Sequence, residues 1–127
     1  MKVDFNQLIP IYIQIANAIE DDILADVLHE GDKCYSQVLL AKELNINPAT
    51  AAKGIRLLVE RGVLDKVRGQ AMTVKEGAAD IIKKRKIEET LGEIMDSLVT
   101  EAKKLGISKE ELTECMERKF DSQSNTP

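Results

Sequence analysis

The sequence has no tryptophan, only two tyrosines and two phenylalanines, and a single histidine, His29. With so few aromatic residues, the core must consist of Ile, Leu, Val and Ala, a composition that favours packed helices over extended sheets. One histidine without a cysteine at ligand spacing gives little support for acid–base catalysis or a transition-metal site. No nucleophile–base pair or phosphate-binding loop is visible. We therefore expect neither an enzyme, a metal site nor a cofactor.

Cysteine is also scarce, because only Cys34 and Cys115 occur and they lie far apart in the sequence. That spacing is not typical of a disulfide scaffold or a zinc site, so both thiols are expected to be reduced. Cys34 lies just before a predicted helix. There it is either a small buried filler, the interpretation we favour, or a redox-sensing thiol of lowered pKa.

Long hydrophobic runs are absent: no apolar run in the 127 residues exceeds five, whereas a membrane span needs roughly 20. The first residues lack the apolar segment and small-residue cleavage site of a secretory signal. We expect a cytoplasmic protein of one or two small domains that does not bind membranes.

The net charge of −4 is unevenly distributed. Residues 45–75 carry 6 Lys/Arg against 2 Asp/Glu, residues 1–44 carry 3 against 8, and residues 76–127 carry 9 against 12. A basic segment between two acidic ones indicates a local surface for an anionic partner, which the mean charge of the chain hides.

Three helices are predicted in the first half of the chain. Apolar residues at spacings of three and four, including Ile15, Ile19, Ile23 and Val27, predict a helix over residues 10–28, with Glu20, Asp21, Asp22 and Asp26 on a solvated face. Ser36 is the expected N-cap of a helix that ends near residue 44 and has Val38, Leu39, Ala41 and Leu44 as its apolar residues. Asn47 and Pro48 predict the start of a third helix, which ends near residue 61. Two short helices joined by a tight turn are typical of a helix-turn-helix.

Two short strands, residues 63–67 and 71–75, are predicted on either side of Arg68-Gly69-Gln70, as in a hairpin. A long helix follows over residues 78–105, with Ile87, Leu91, Ile94, Leu98, Ala102 and Leu105 on one stripe. Ser108 and Glu111 form the capping box of a last helix with an apolar face of Leu112, Met116 and Phe120. Three helices followed by a hairpin are the order of a winged helix-turn-helix.

Several segments in this order resemble the DNA-binding half of the GntR family of bacterial transcription regulators. They are Pro-Ile-Tyr-Ile-Gln-Ile at 10–15, Glu-Gly-Asp-Lys at 30–33, Leu-Ala-Lys-Glu-Leu at 40–44, Ile-Asn-Pro-Ala-Thr at 46–50, Glu-Arg-Gly at 60–62 and Arg-Gly at 68–69. The short tail with Leu-Gly-Ile-Ser-Lys-Glu-Glu at 105–111 resembles the YtrA-like branch. The resemblance implies dimerisation through this tail and repression of the protein's own operon, often one that encodes a transporter.

A helix that enters the major groove needs cations and small or hydrogen-bonding residues, since the duplex carries one negative charge per ~1.7 Å. Thr50 and Lys53 share one helix face and meet that description. With the resemblance, the predicted DNA contacts are Ser36, Gln37, Asn47, Pro48, Ala49, Thr50, Lys53, Arg56, Lys66, Arg68, Gly69 and Gln70. The basic run at residues 83–86 is expected to be a solvated face. The predicted dimer contacts are Ile87, Leu91, Ile94, Leu98, Leu105, Leu112 and Met116.

The sequence therefore predicts a mainly α protein with a small β-hairpin. A winged helix-turn-helix domain occupies residues 1–76, a helical dimerisation domain residues 77–120 and a disordered tail residues 121–127. The expected function is repression by a homodimer on a double-stranded operator of two-fold symmetry. The alternative is a winged-helix module that binds another protein, because Val38 and Ala49 stand where the family usually has an arginine and a polar residue. Neither the operator sequence nor a small-molecule effector is predicted.

Overall fold

The computed structural model describes residues 1–66 and 71–124, and these confirm a mainly helical fold with a small antiparallel strand pair. The helices are α1 (Ile11–Leu24), α2 (Gln37–Leu44), α3 (Pro48–Glu60), α4 (Ala78–Lys86), α5 (Gly92–Lys104) and α6 (Lys109–Ser124). The strands are β1 (Leu64–Asp65) and β2 (Thr73–Val74), and a π-helical turn (Ile87–Leu91) lies between α4 and α5. The chain divides into two compact units, Met1–Arg85 and Lys86–Pro127.

The core of the first unit is built from aliphatic side chains of the helices and of both strands. Ile15, Ile19, Leu58, Val63, Val74 and Ile82 are completely or almost completely buried. A buried side chain of this size contributes about 1.5–3 kcal/mol to folding. Because α4 contributes Ala78 and Ile82 to this core, the core of the first unit extends beyond residue 76.

A glycine sets the closest approach of α1 and α3. A Cβ atom at Gly54 would lie 3.0 Å from the carbonyl oxygen of Tyr12 and 3.0 Å from Cγ2 of Ile15. Any side chain at this position would push the two helices apart, and such overpacking typically costs about 1–3 kcal/mol. Gly54 therefore fixes how closely α3 packs on α1.

The first helix ends four residues earlier than predicted. Asp26 adopts a left-handed conformation with φ +63°, and the backbone N–H groups of Val27 and Leu28 both donate to the carbonyl oxygen of Asp22. The expected burial of Val27 is wrong, because this turn leaves Val27 exposed and places Leu28 in the core.

The prediction that the acidic side of α1 is solvated is wrong for Glu20 and Asp22. Glu20 is completely buried, and its Oε1 accepts hydrogen bonds from Arg61, at 3.0 Å, and from Arg85. Asp22 accepts a hydrogen bond from the Tyr35 hydroxyl at 2.7 Å. Each carboxylate has a partner from another part of the fold, which offsets part of its loss of hydration.

The short helix α2 begins as predicted but buries a different face. Ser36 Oγ accepts a hydrogen bond from the Leu39 N–H at 3.1 Å, so Ser36 is the N-cap. Val38 and Leu39 are exposed, whereas Leu40 and Ala41 are buried. The apolar residues predicted for α2 thus include two exposed ones, Val38 and Leu39, and omit the buried Leu40.

A third segment, which was not predicted from the sequence, pairs with the small sheet. In the predicted hairpin, Leu64 pairs with Val74 and Asp65 with Thr73. On its other edge, β2 meets the segment before α2: Lys33 forms a bridge with Thr73, and the Cys34 N–H donates to the Met72 carbonyl oxygen at 2.7 Å. This pairing anchors β2 to the segment that leads into the helix-turn-helix.

The second unit contains α5 and α6. The predicted capping box is confirmed, because the Glu111 N–H donates to Ser108 Oγ at 3.1 Å and the Ser108 N–H donates to Glu111 Oε1 at 3.3 Å. Helix α6 continues to Ser124 although its last residues bury no apolar pattern, since adding a residue to an existing helix is far easier than starting one. Residues 125–127 lie outside the described residues.

Candidate nucleic-acid interface

Helix α3 begins at the predicted residues. The Asn47 side-chain oxygen accepts a hydrogen bond from the Ala49 N–H at 2.8 Å, and Pro48 occupies the first helical position. A proline there loses no helical hydrogen bond and already has the required φ. Asn47, Pro48 and Ala49 are exposed, and Thr50 is half-buried, so the start of α3 presents a small, partly polar surface.

The two sides of α3 have different roles. Ala51, Ile55 and Leu58 face the core at the spacing of three and four residues expected for one side of a helix. Lys53 and Arg56 are three residues apart and therefore share the opposite, exposed face. One side of α3 therefore exposes two cations next to the small residues of its first turn. The other side packs against the core of the domain.

In the part of the chain that the structure describes, no carboxylate forms an ion pair with Lys53 or Arg56. Arg61 and Arg85, by contrast, both contact buried Glu20. The expectation that the basic run at 83–86 is a solvated face is therefore wrong for Arg85, which supports the fold. The positive charge of α3 remains available to an anionic ligand.

The other predicted DNA contacts lie on separate elements. Ser36 and Gln37 are exposed at the start of α2, which packs against α3. Lys66 is exposed directly after β1. Arg68, Gly69 and Gln70, the predicted tip of the wing, lie outside the described residues.

One residue beside this surface, Tyr12, was not predicted from the sequence. Lys53 Nζ lies 4.1 Å from the centroid of the Tyr12 ring, which belongs to α1. This is within the range of a cation–π interaction. The local spacing of residues gave no signal for it, because the two residues are brought together by the packing of α1 on α3.

Burial distinguishes the two interpretations of Cys34. Its side chain is buried, and desolvation raises the pKa of the thiol to about 11 despite a hydrogen bond from the Tyr35 backbone that acts in the opposite direction. A redox sensor needs an accessible thiol with a lowered pKa. Both cysteines are free, and only Cys115 is exposed, so the structure favours the buried filler.

An alkylating reagent at about pH 8 should modify Cys115 in the native protein and leave Cys34 unmodified, because the thiolate is the reactive form. Peptide mass spectrometry after a timed reaction measures both sites. The same reaction in denaturant is the control, in which both thiols should react. Equal labelling rates in the native protein would contradict the buried, protonated state of Cys34.

A second candidate surface lies on the helices of the tail. Ile87, Leu91 and Ile94 are 58%, 46% and 58% exposed. The other predicted dimer contacts follow the same trend: Leu105 and Met116 are exposed, and Leu98 and Leu112 are half-buried. Within residues 86–123, these apolar side chains are thus incompletely covered by their own unit.

The apolar surface is wider than the predicted stripe. A groove between α5 and α6 is lined by Met95, Leu98, Val99, Leu112, Thr113 and Met116. Met95 and Val99 were not predicted, although both are exposed apolar residues of α5. They lie one position after Ile94 and Leu98, so a strict one-stripe pattern could not include them.

Within residues 1–66 and 71–124, no helix is long and apolar enough to cross a membrane. No group of three or more His, Cys, Asp or Glu side chains there could hold a metal ion.

No family model matches the sequence. YhcF, an HTH-type transcriptional regulator of Bacillus subtilis, is 31% identical over 114 residues, which cover 90% of this chain and 93% of YhcF. The HTH-type transcriptional repressor YtrA of Bacillus subtilis is 27% identical over 114 residues, 90% of this chain and 87% of YtrA.

A solved structure agrees with these relatives. A transcriptional regulator of the GntR family from Bacteroides thetaiotaomicron has a TM-score of 0.76 and 31% identity, and the match covers 91% of this chain and 99% of that one. The relatives are regulators of transcription and not enzymes. Because the similarity extends over nearly the full length of each chain, the protein belongs to the GntR family of transcription regulators.

Proposed function

We propose that the protein binds double-stranded operator DNA as a homodimer and represses transcription of its own operon, one that encodes a transporter. Residues 1–76 supply the DNA contacts, the helices within residues 77–120 supply the dimer contacts, and the protein acts in the cytoplasm. The observation that carries the proposal is the exposed face of α3, where Lys53 and Arg56 have no carboxylate partner among the described residues.

The chemistry of this face fits the major groove. Lys53 and Arg56 can contact phosphates or the acceptor atoms of guanine, and Thr50 can donate or accept a hydrogen bond at a base edge. Asn47 uses its side-chain oxygen for the cap, which leaves its amide hydrogens for an acceptor on DNA. Arg68 and Lys66 would add minor-groove and phosphate contacts from the wing.

The tail supports a two-fold arrangement. Ile87, Leu91 and Ile94 expose an apolar stripe, and stripes of this kind are commonly covered by a partner. A second copy is a suitable occupant because a symmetric dimer presents the same patch from both sides. The α3 helices of the two copies, which are the recognition helices, would then contact half-sites one helical turn apart, about 34–36 Å along the DNA.

The exposed apolar residues of α2 favour a second candidate function. Val38 and Leu39 project from a helix that contacts α3, and such residues suit a protein partner better than a phosphate backbone. In this alternative the winged helix is an interaction module that does not bind DNA.

A gel shift with the DNA upstream of the protein's own gene, at about 50 and 200 mM salt, separates the two candidates. Operator binding predicts a complex that is weaker at the higher salt, because each phosphate contact releases counterions. Unrelated DNA should not displace this complex, because contacts to base edges depend on the sequence. The absence of a complex at low salt would favour the interaction module.

Substitutions in α3 and in the wing should have different effects. Thr50→Ala and Lys53→Ala should change the preference among single-base operator variants, because the major groove distinguishes every base pair. Arg68→Ala should weaken binding to all variants evenly and reduce the slope of log K against log salt by about one unit for each phosphate that is no longer neutralised. Titrations at several salt concentrations measure both quantities.

Lys84→Ala is the matched control, since Lys84 is an exposed cation of α4, which is not part of the helix-turn-helix. It should have little effect on affinity or specificity. Equal losses for Thr50→Ala, Lys53→Ala and Arg68→Ala on all sequences would contradict the division between helix and wing. No loss for any of them would count against DNA as the ligand.

A further inference from the structure

Lys53 is exposed, yet its ammonium group has a defined neighbour. Nζ lies 4.1 Å from the centroid of the Tyr12 ring, and Tyr12 is itself half-buried in the second position of α1. The contact joins the recognition helix α3 to a residue that is 41 positions away and lies outside the helix-turn-helix.

The contact between Lys53 and Tyr12 depends on Gly54, the residue that follows Lys53. Gly54 packs so closely on α1 that a Cβ atom there would lie 3.0 Å from the Tyr12 carbonyl oxygen. The missing side chain brings α3 near enough for Lys53 to reach over the ring. The same helix crossing therefore determines both the packing of the domain and the place of this lysine.

We propose that Tyr12 is a positioning residue for DNA recognition, which holds the Lys53 ammonium in place before DNA arrives. The inference rests on the proposed function. A free lysine loses side-chain rotamer entropy when it is immobilised at an interface, and an ammonium already restricted by the ring loses less.

An aromatic ring suits this role better than a carboxylate would. A carboxylate could also restrain Lys53, but it would cancel the positive charge that attracts phosphates. The ring attracts the cation through its quadrupole and carries no net charge. Lys53 therefore keeps its full charge, and the N–H donors that do not face the ring remain available to DNA.

The expected effect follows from the strength of such contacts at exposed sites. Removing the ring should weaken DNA binding about three-fold for each bound copy of the domain, and about ten-fold for a dimer in which both copies lack it. Tyr12→Phe keeps the aromatic face and should bind like the wild-type protein, whereas Tyr12→Leu removes the face.

A double-mutant cycle measures the coupling. Tyr12→Leu and Tyr12→Phe are made in the wild-type and in the Lys53→Met backgrounds, and affinities are measured for a duplex enriched from a random pool by the wild-type protein. We expect Tyr12→Leu to weaken binding only when Lys53 is present. An equal loss in both backgrounds, or a loss for Tyr12→Phe as large as for Tyr12→Leu, would overturn the proposal. Thermal unfolding of each variant establishes that the compared proteins are folded.

A measurement without DNA separates this inference from the proposed function. The Tyr12 ring current should shift the NMR signals of the Lys53 ε-methylene protons upfield in the free protein. The shift should persist in Tyr12→Phe and disappear in Tyr12→Leu, and its absence in the wild-type protein would overturn the positioning role.

If the wild-type protein binds no duplex, the proposed function fails and the role of Tyr12 in recognition fails with it. If it binds and the cycle shows no coupling, only the role of Tyr12 fails.

Discussion

Ile94→Asp should leave the protein monomeric and weaken its binding to operator DNA by about 100-fold or more. Ile94 is 58% exposed on α5, in the apolar stripe that we assign to the dimer. An aspartate there would be buried against hydrocarbon in both copies, which costs several kcal/mol unless the charge is paired. A monomer also loses the gain from binding two half-sites at once, which is typically about 10²–10⁴ in affinity.

Ser97→Asp is the matched control, because it introduces the same charge at an exposed polar position of the same helix. It should remain dimeric and bind DNA normally. Sedimentation velocity measures the oligomeric state, and circular dichroism measures the helix content of each variant. A dimeric Ile94→Asp, or a wild-type protein that is itself monomeric at micromolar concentration, would contradict the assignment of the stripe.

Glu20→Gln should destabilise the first unit by about 3 kcal/mol. Glu20 is completely buried and is contacted by Arg61 from the end of α3 and by Arg85 from α4. The amide keeps the size of the side chain but leaves two cations without their counter-charge. For a unit of this length, the midpoint of thermal unfolding should fall by more than about 10 °C.

Glu76→Gln removes a carboxylate of the same kind from an exposed position and should change the midpoint by little. The triple variant Glu20→Leu/Arg61→Met/Arg85→Met should regain much of the stability, because well-packed apolar side chains often replace a buried ion cluster without loss. Glu20 Oε2 has no hydrogen-bond partner among the described residues, which favours such a recovery. A midpoint for Glu20→Gln equal to that of Glu76→Gln would show that the cluster contributes nothing.

The parts of the fold that depend on local chemistry could be predicted from the sequence. Ser36, Asn47 and Ser108 each cap the helix that follows, because a cap requires only one side chain and backbone groups two or three residues away. The core face of α3 was also predictable, since its apolar residues recur with the helical period.

Several of the errors share one physical origin, which is contact between distant segments. Glu20 looked solvated because its partners, Arg61 and Arg85, are 41 and 65 residues further along the chain. The pairing of Lys33 with Thr73 and the burial of Leu40 instead of Leu39 likewise depend on which surfaces meet in three dimensions. None of these partners can be read from residue spacing.

The candidate site follows the same division. The exposure of Lys53 and Arg56 could be inferred from the helical period of α3, because their neighbours on the opposite face are apolar. The Tyr12 contact could not, since it needs the close crossing of α1 and α3 at Gly54. The local pattern of residues predicts which side chains of a helix are exposed. Only the packing of the helices shows which side chains from other segments contact them.

The close crossing at Gly54 also limits how this regulator can evolve. Most substitutions of Gly54 and of the buried residues of α3 would destabilise the domain, because these residues pack the helix against the core. Residues 49, 53 and 56 project away from that packing, and exposed substitutions usually change stability by less than about 0.5 kcal/mol. A paralogue could therefore acquire a new target sequence through a few changes on one face of α3, while the scaffold beneath it stays the same.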